Sequence, residues 1–159
     1  MSIVKITIIC LGKYKESAYI ELEKEYLKRL RSYSLVKVIE IPEEPYYKNS
    51  DLDNIKLKEA EKIKKYLNEG SIVILLSESG TERSSKDFAQ NLERLSSLGQ
   101  ELVFVLGSGI GLHDSLKEYA NYSISLSKLT FPHNLARILL LEQIYRGFTI
   151  ISGKEYHKE

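Results

Sequence analysis

One cysteine, no tryptophan and three prolines stand among the 159 residues of this chain. The lone Cys10 excludes an intramolecular disulfide, which fits a reducing compartment, and the cytoplasm is the expected location. It lies in the apolar run IVKITIICL and reads as a small buried hydrophobe. The three histidines, His113, His133 and His157, have no second cysteine or compact acid cluster at ligand spacing, so no metal site is expected. Excess charge is also missing. Lys and Arg number 23 against 22 Asp and Glu, a net +1, so any nucleic-acid partner must be met by local patches or by shape rather than by a global positive field. No uninterrupted membrane-length apolar run occurs. The longest apolar segment, Leu135 to Ile151, carries Arg137, Glu142, Gln143 and Arg146. The N-terminal apolar stretch is short and broken by Lys5, unlike a signal peptide.

Hydrophobic residues at 43% and charged residues at 28% describe an ordinary globular protein. The length suits one domain over residues 1–159, able to bury a core without a staple. Strand and helix patterns alternate throughout. Val4–Leu11, Leu35–Ile41, Ser71–Leu76, Leu102–Leu106 and Tyr122–Ser125 read as strands. Between the first two, Tyr19, Leu22, Tyr26, Leu30 and Tyr33 share a helical stripe. Leu52, Ile55, Ala60, Ile63 and Leu67 form a second stripe, opened by Ser50 and Asp53 in capping-box spacing. Lys58, Lys62 and Lys65 share another face of that helix, with Glu59 and Glu61 interleaved, as on a solvated surface. Ser84 or Ser85 starts a helix bearing Phe88, Leu92 and Leu95, and His113–Ala120 reads as a short one. A last long helix begins at Pro132 and stops at Gly153. The alternation predicts an α/β fold with a largely parallel sheet and helices on both faces.

Ligands of such sheets bind beyond the carboxyl ends of the strands. Three ends cluster in the second half: Leu76–Gly80, Gly107–Gly111 and Leu126–Phe131. The LGSGIG turn has glycines at 107, 109 and 111 but Leu at 112, so it is neither a dinucleotide fingerprint nor a Walker loop. From its residues alone it is a tight turn or a ligand loop. SLSKLTFPH is in the same position: either a strand-to-helix connection capped by Thr130, or a loop whose backbone groups meet a ligand. There is no G-x-S-x-G to support a hydrolase.

The strings FVLGSGIGLH, SLSKLTFPHNLARILLLEQIYRGF and GKEYHKE resemble the RlmH family, the ribosomal RNA large-subunit methyltransferases of the SPOUT (α/β-knot) superfamily. KITIICLGK and IEIP at Ile39–Pro42 are similar to that family as well, so the likeness spans the whole chain. The resemblance implies a single-domain SPOUT fold with a C-terminal trefoil knot, a homodimer, and S-adenosyl-L-methionine as methyl donor. The implied reaction is methylation of N3 of a pseudouridine in 23S ribosomal RNA on the assembled ribosome. By matching positions it places cofactor contacts on Leu76, Gly107, Leu126, Ser127, Lys128, Leu129, Thr130 and Phe131. Three departures stand out. Ser108 replaces a usual glycine, Ser77 precedes Glu78 where an acid often follows the leucine, and Glu155 replaces a usual proline.

An imide N3–H must lose its proton before N3 attacks, so a base or an anion-stabilising cation is required. The expected catalytic residues are His157 as proton acceptor, Tyr156 stacking on the base, and Arg137, or else Lys158, balancing charge on the base or a phosphate. Glu142 and Arg146 are spaced either for a plain i,i+4 pair or for a dimer interface. The spread of Leu135, Ile138, Leu139, Leu140, Ile144 and Ile151 around the last helix suggests a partner surface. A non-enzymatic ribosome- or RNA-binding factor on the same fold is the alternative reading.

Overall fold

The computed structural model describes residues 3–158. Five parallel strands form one sheet: β1 (Val4–Leu11), β2 (Ser34–Ile41), β3 (Ile72–Glu82), β4 (Leu102–Leu106) and β5 (Tyr122–Ser125), in the order β2-β1-β4-β3-β5. The helices are α1 (Ser17–Leu30), α2 (Leu52–Lys64), α3 (Ser85–Ser96) and α4 (His133–Ile151), with a short 3-10 helix at Asp114–Tyr119. Alternation along β1 sends Ile6, Ile8 and Cys10 to one face, where Leu30, Leu92, Leu95, Leu140, Leu141 and Ile144 pack. Ile9 and Leu11 go to the other, against Ala60, Ile63 and Leu116. Helices α1, α3 and α4 therefore cover one face, and α2 with the 3-10 helix covers the other. No helix among the described residues is long and apolar enough to cross a membrane.

Several local expectations change. The cap of α2 is Asp51, which accepts from the backbone N–H of Asp53 and Asn54; Ser50 instead accepts from Tyr47 N–H. Leu22 and Leu52 are exposed, while Glu59 is buried among the α2 apolar residues. The start of α4 shifts by one residue. Pro132, at φ −54°, precedes the first helical residue, and Thr130 supplies no cap bond. The apolar spread around α4 has an internal explanation. Flanked by α1 and α3 as well as the sheet, α4 exposes none of its large apolar side chains.

Strand β3 runs well past Leu76. It pairs with β5 through Ile74–Leu76, bulges out over residues 77–80, then pairs again at Thr81 and Glu82. The re-entry needs glycine, because a Cβ at Gly80 would lie 2.4 Å from the Ile124 carbonyl carbon. A Cβ at Gly107 would similarly meet Gly111 at 2.7 Å, as the turn after β4 folds back on itself.

Candidate active site

The carboxyl ends of β3, β4 and β5 are neighbours in the sheet, and a cavity of about 510 Å³ opens above them. Three peptide segments form its wall. The β3 bulge contributes Leu76, Ser77, Glu78 and Ser79, and the turn after β4 contributes Gly107 to Leu112. The β5–α4 loop contributes Leu126, Ser127, Leu129, Thr130 and Phe131. His133 and Ala136, on the first turns of α4, complete that side. Seven of the eight expected cofactor residues thus line one cavity. The eighth, Lys128, does not, because the Ser127 side chain accepts from Leu129 N–H and closes a local turn between them. Leu129 is largely exposed at the rim.

Sequence reading missed part of this lining. Asp114 and Glu78 bring two carboxylates to the wall. A hydrogen bond from Lys117 at 3.1 Å holds the Asp114 carboxyl below its ordinary range, so it stays ionised. His133 sits against Glu43, 3.2 Å from Nε2 to Oε1. Ser77–Ser79 fall in the Leu76–Gly80 strand end that the sequence had marked, but nothing in the residues showed that they form a bulge.

A second group lies at the other end of α4. The tail folds back after Gly153, at φ +70°, where Lys154 N–H donates to the Thr149 carbonyl at 2.9 Å. Tyr156 then packs edge-on to Tyr145, ring centroids 4.8 Å apart, under the Arg146 guanidinium. Its hydroxyl donates to Glu142 Oε1 at 3.2 Å. Arg146 binds the same carboxylate through Nε and Nη2, at 2.9 and 2.6 Å, and places Nη1 3.2 Å from His157 Nδ1. A guanidinium only donates, so Nδ1 must accept. The neutral imidazole therefore carries its hydrogen on Nε2. Docked this way, His157 presents a donor to an incoming base rather than a proton acceptor.

Arg137 does not join this group. It is 4% exposed and donates to Glu23 at 2.9 and 2.8 Å and to Glu40 at 2.9 Å, with its guanidinium 4.0 Å from the Tyr14 ring centroid. All of its charge is used inside the fold. The expectation that Arg137 balances charge on RNA is corrected accordingly, and the cation beside His157 is Arg146.

A family model described as a predicted SPOUT methyltransferase matches residues 4–157. The chain belongs to the SPOUT methyltransferase family. It is 50% identical to the ribosomal RNA large subunit methyltransferase H of Caldicellulosiruptor saccharolyticus over 153 residues, 96% of this chain and 99% of the relative. The protein of that name from Enterococcus faecalis is 40% identical over 159 residues, covering 98% and 100%. The fold is that of a methylase family protein from Neisseria gonorrhoeae, with TM-score 0.54 at 13% identity over 98% of this chain and 87% of the other.

A SPOUT methyltransferase takes its methyl group from S-adenosylmethionine. The cavity suits that molecule. Its volume lies within the range of small-molecule sites, roughly 300–1,000 Å³. Its lining would fit the group: the carboxylates of Glu78 and Asp114 could balance a cationic ligand, Leu76, Leu106 and Phe131 could give apolar contact, and Ser77, Ser79, Ser127 and Thr130 bring hydroxyls.

Proposed function

We propose that this SPOUT methyltransferase binds S-adenosylmethionine in the cavity above β3, β4 and β5 and methylates N3 of a pseudouridine in large-subunit ribosomal RNA. The cofactor contacts proposed are Leu76, Gly107, Leu126, Ser127, Leu129, Thr130 and Phe131, with Glu78 and Asp114 added. The bound cofactor supplies an electrophilic methyl group. The chain must orient it, exclude water, and make N3 nucleophilic.

The observation that carries the mechanism is the separation of cavity and tail. Ala136 lines the cavity and Arg146 holds the tail, ten residues apart on one helix. At 1.5 Å per residue that is about 15 Å, too far for His157 to reach a methyl group bound in its own subunit. A second copy of the chain, laid with its α4 antiparallel, brings its tail to this cavity. The homodimer now rests on that incompleteness. In the assembled site Tyr156 stacks on the base, and the His157 Nε2–H and the Arg146 guanidinium stabilise the anion that spreads to the imide carbonyls when N3–H ionises. The proton leaves to solvent. The small size and near-neutral charge leave the ribosome's own shape to select the nucleotide, and the cytoplasm is where the enzyme meets it.

The deciding experiment is transfer of labelled methyl from S-adenosylmethionine to whole ribosomes, with the modified nucleotide mapped. Label on large-subunit RNA at a pseudouridine N3 is expected; label on no RNA would overturn the proposal. A mixture of a His157→Ala subunit with a cofactor-loop variant should regain activity through mixed dimers.

A further inference from the structure

Glu59 is a carboxylate with no place in the chemistry above, yet it is only 1% exposed. It sits on the sheet-facing side of α2 beside Ala60 and Ile63. Burial pushes its carboxyl above the usual carboxylate range, and nearby Glu43 adds to the rise, so a carboxylate here works against the packing. Two donors compensate it. Oε1 accepts from Glu44 N–H at 3.1 Å, in the loop after β2. Oε2 accepts from the Ser108 hydroxyl at 3.0 Å.

Both partners belong to the cavity's surroundings. Ser108, itself 7% exposed, is the second residue of the turn that walls the cavity, and its carbonyl accepts from Gly111 N–H at 3.0 Å. Glu44 follows Glu43, whose carboxylate meets the cavity residue His133. One turn along α2, Lys62 ties down the same loop, donating to the Pro42 carbonyl at 3.0 Å and pairing with Glu44 at 2.7 Å. The second helix therefore holds two loops from opposite sides of β1 in a single register. Glycine at 108 would leave one oxygen of Glu59 without this donor, so the serine and the buried acid form a unit.

We propose that Glu59 is a positioning residue for the methyl donor, fixing the Gly107–Gly111 turn through Ser108 and the Pro42–Glu44 loop through Glu44 N–H, so that the cavity is preformed. The proposal rests on the reading of that cavity as the S-adenosylmethionine site.

The test is calorimetric titration of S-adenosylmethionine into the wild-type protein, Glu59→Ala, Ser108→Ala, the double variant and Glu59→Gln, with thermal unfolding of each. Ser108→Ala is expected to weaken Kd by about tenfold, the effect of one lost hydrogen bond to a charged group, and Glu59→Ala, which loses the Glu44 N–H bond as well, by at least as much. The double variant should be no worse than Glu59→Ala alone, since both remove one link. Glu59→Gln should stay close to wild type, because its amide accepts from Glu44 N–H and donates to the Ser108 oxygen. Wild-type Kd in folded Ser108→Ala, or additive losses in the double variant, would overturn the proposal. If Glu59→Ala does not fold, Ser108→Ala and Glu59→Gln decide it alone. A wild-type protein that binds no S-adenosylmethionine overturns the reading of the cavity, and the role of Glu59 with it.

Discussion

Replacing Arg137 by alanine tests whether the most buried cation of the fold is structural or catalytic. The guanidinium makes three hydrogen bonds to two carboxylates, and its side chain is 4% exposed against 13% for Glu23 and 30% for Glu40. Truncation leaves Glu23 charged, unpaired and largely buried, a loss of about 3–5 kcal/mol. The Glu40 arm is partly screened by water and adds roughly 0–1 kcal/mol. A domain of this kind has about 5–15 kcal/mol in total, so the variant should fold at 25 °C with a thin margin. In urea, with a slope of about 2 kcal/mol/M, the midpoint should fall by roughly 2 M. The loss has a defined pH dependence. Burial already raises the Glu23 carboxyl, and Arg137 opposes that rise. Without the arginine the folded value climbs further above the unfolded one, about 4.3. The penalty is therefore small below pH 4.3 and grows as pH rises toward neutrality. Arg137→Met combined with Glu23→Gln and Glu40→Gln should recover at least half the loss. An alanine variant with the wild-type midpoint and depressed turnover would refute the reasoning and return Arg137 to the active site.

Other expectations are simpler. Gly80→Ala forces a Cβ into the Ile124 backbone and should cost about 3 kcal/mol or more, read as a lowered Tm; a wild-type Tm would show that β3 and β5 do not pass so closely. Burial pushes the Cys10 thiol up to about 12, so at pH 8 roughly one molecule in ten thousand carries the thiolate. Alkylation should therefore track unfolding in denaturant, and complete labelling of the native protein within minutes would contradict the buried strand. His157→Ala should lower kcat by at least about tenfold while leaving the S-adenosylmethionine Kd unchanged, because in the proposed site His157 meets the base and not the cofactor. A parallel loss of cofactor affinity would make His157 part of the cofactor site instead.

Much of this protein is local and was legible without coordinates. Runs rich in β-branched and apolar residues marked the strands, and one buried on both faces, such as β4, is apolar along its length. The three strand ends that wall the cavity followed from the rule that parallel strands present their carboxyl ends together. The LSKLTFPH and YHK strings carried the family by resemblance, which their spacing alone does not supply. Arg137 and Glu59 were misjudged for one common reason. A charged residue inside a helical pattern looks the same whether it meets water or a buried partner, and the partners here come from segments 97–114 and 15–49 residues away. The extension of β3 was hidden because its bulge residues pair with nothing and read as loop.

Sequence by itself determined the element types, the alternation that makes the sheet parallel, and the family. Tertiary structure alone decided which charges are spent inside the fold, which nitrogen of His157 faces the Arg146 guanidinium, and that the tail docks on α4 about ten residues, roughly 15 Å of helix, beyond the cavity residue Ala136. Those depend on distances across the sheet and along α4, which arise only when segments far apart in sequence are packed together.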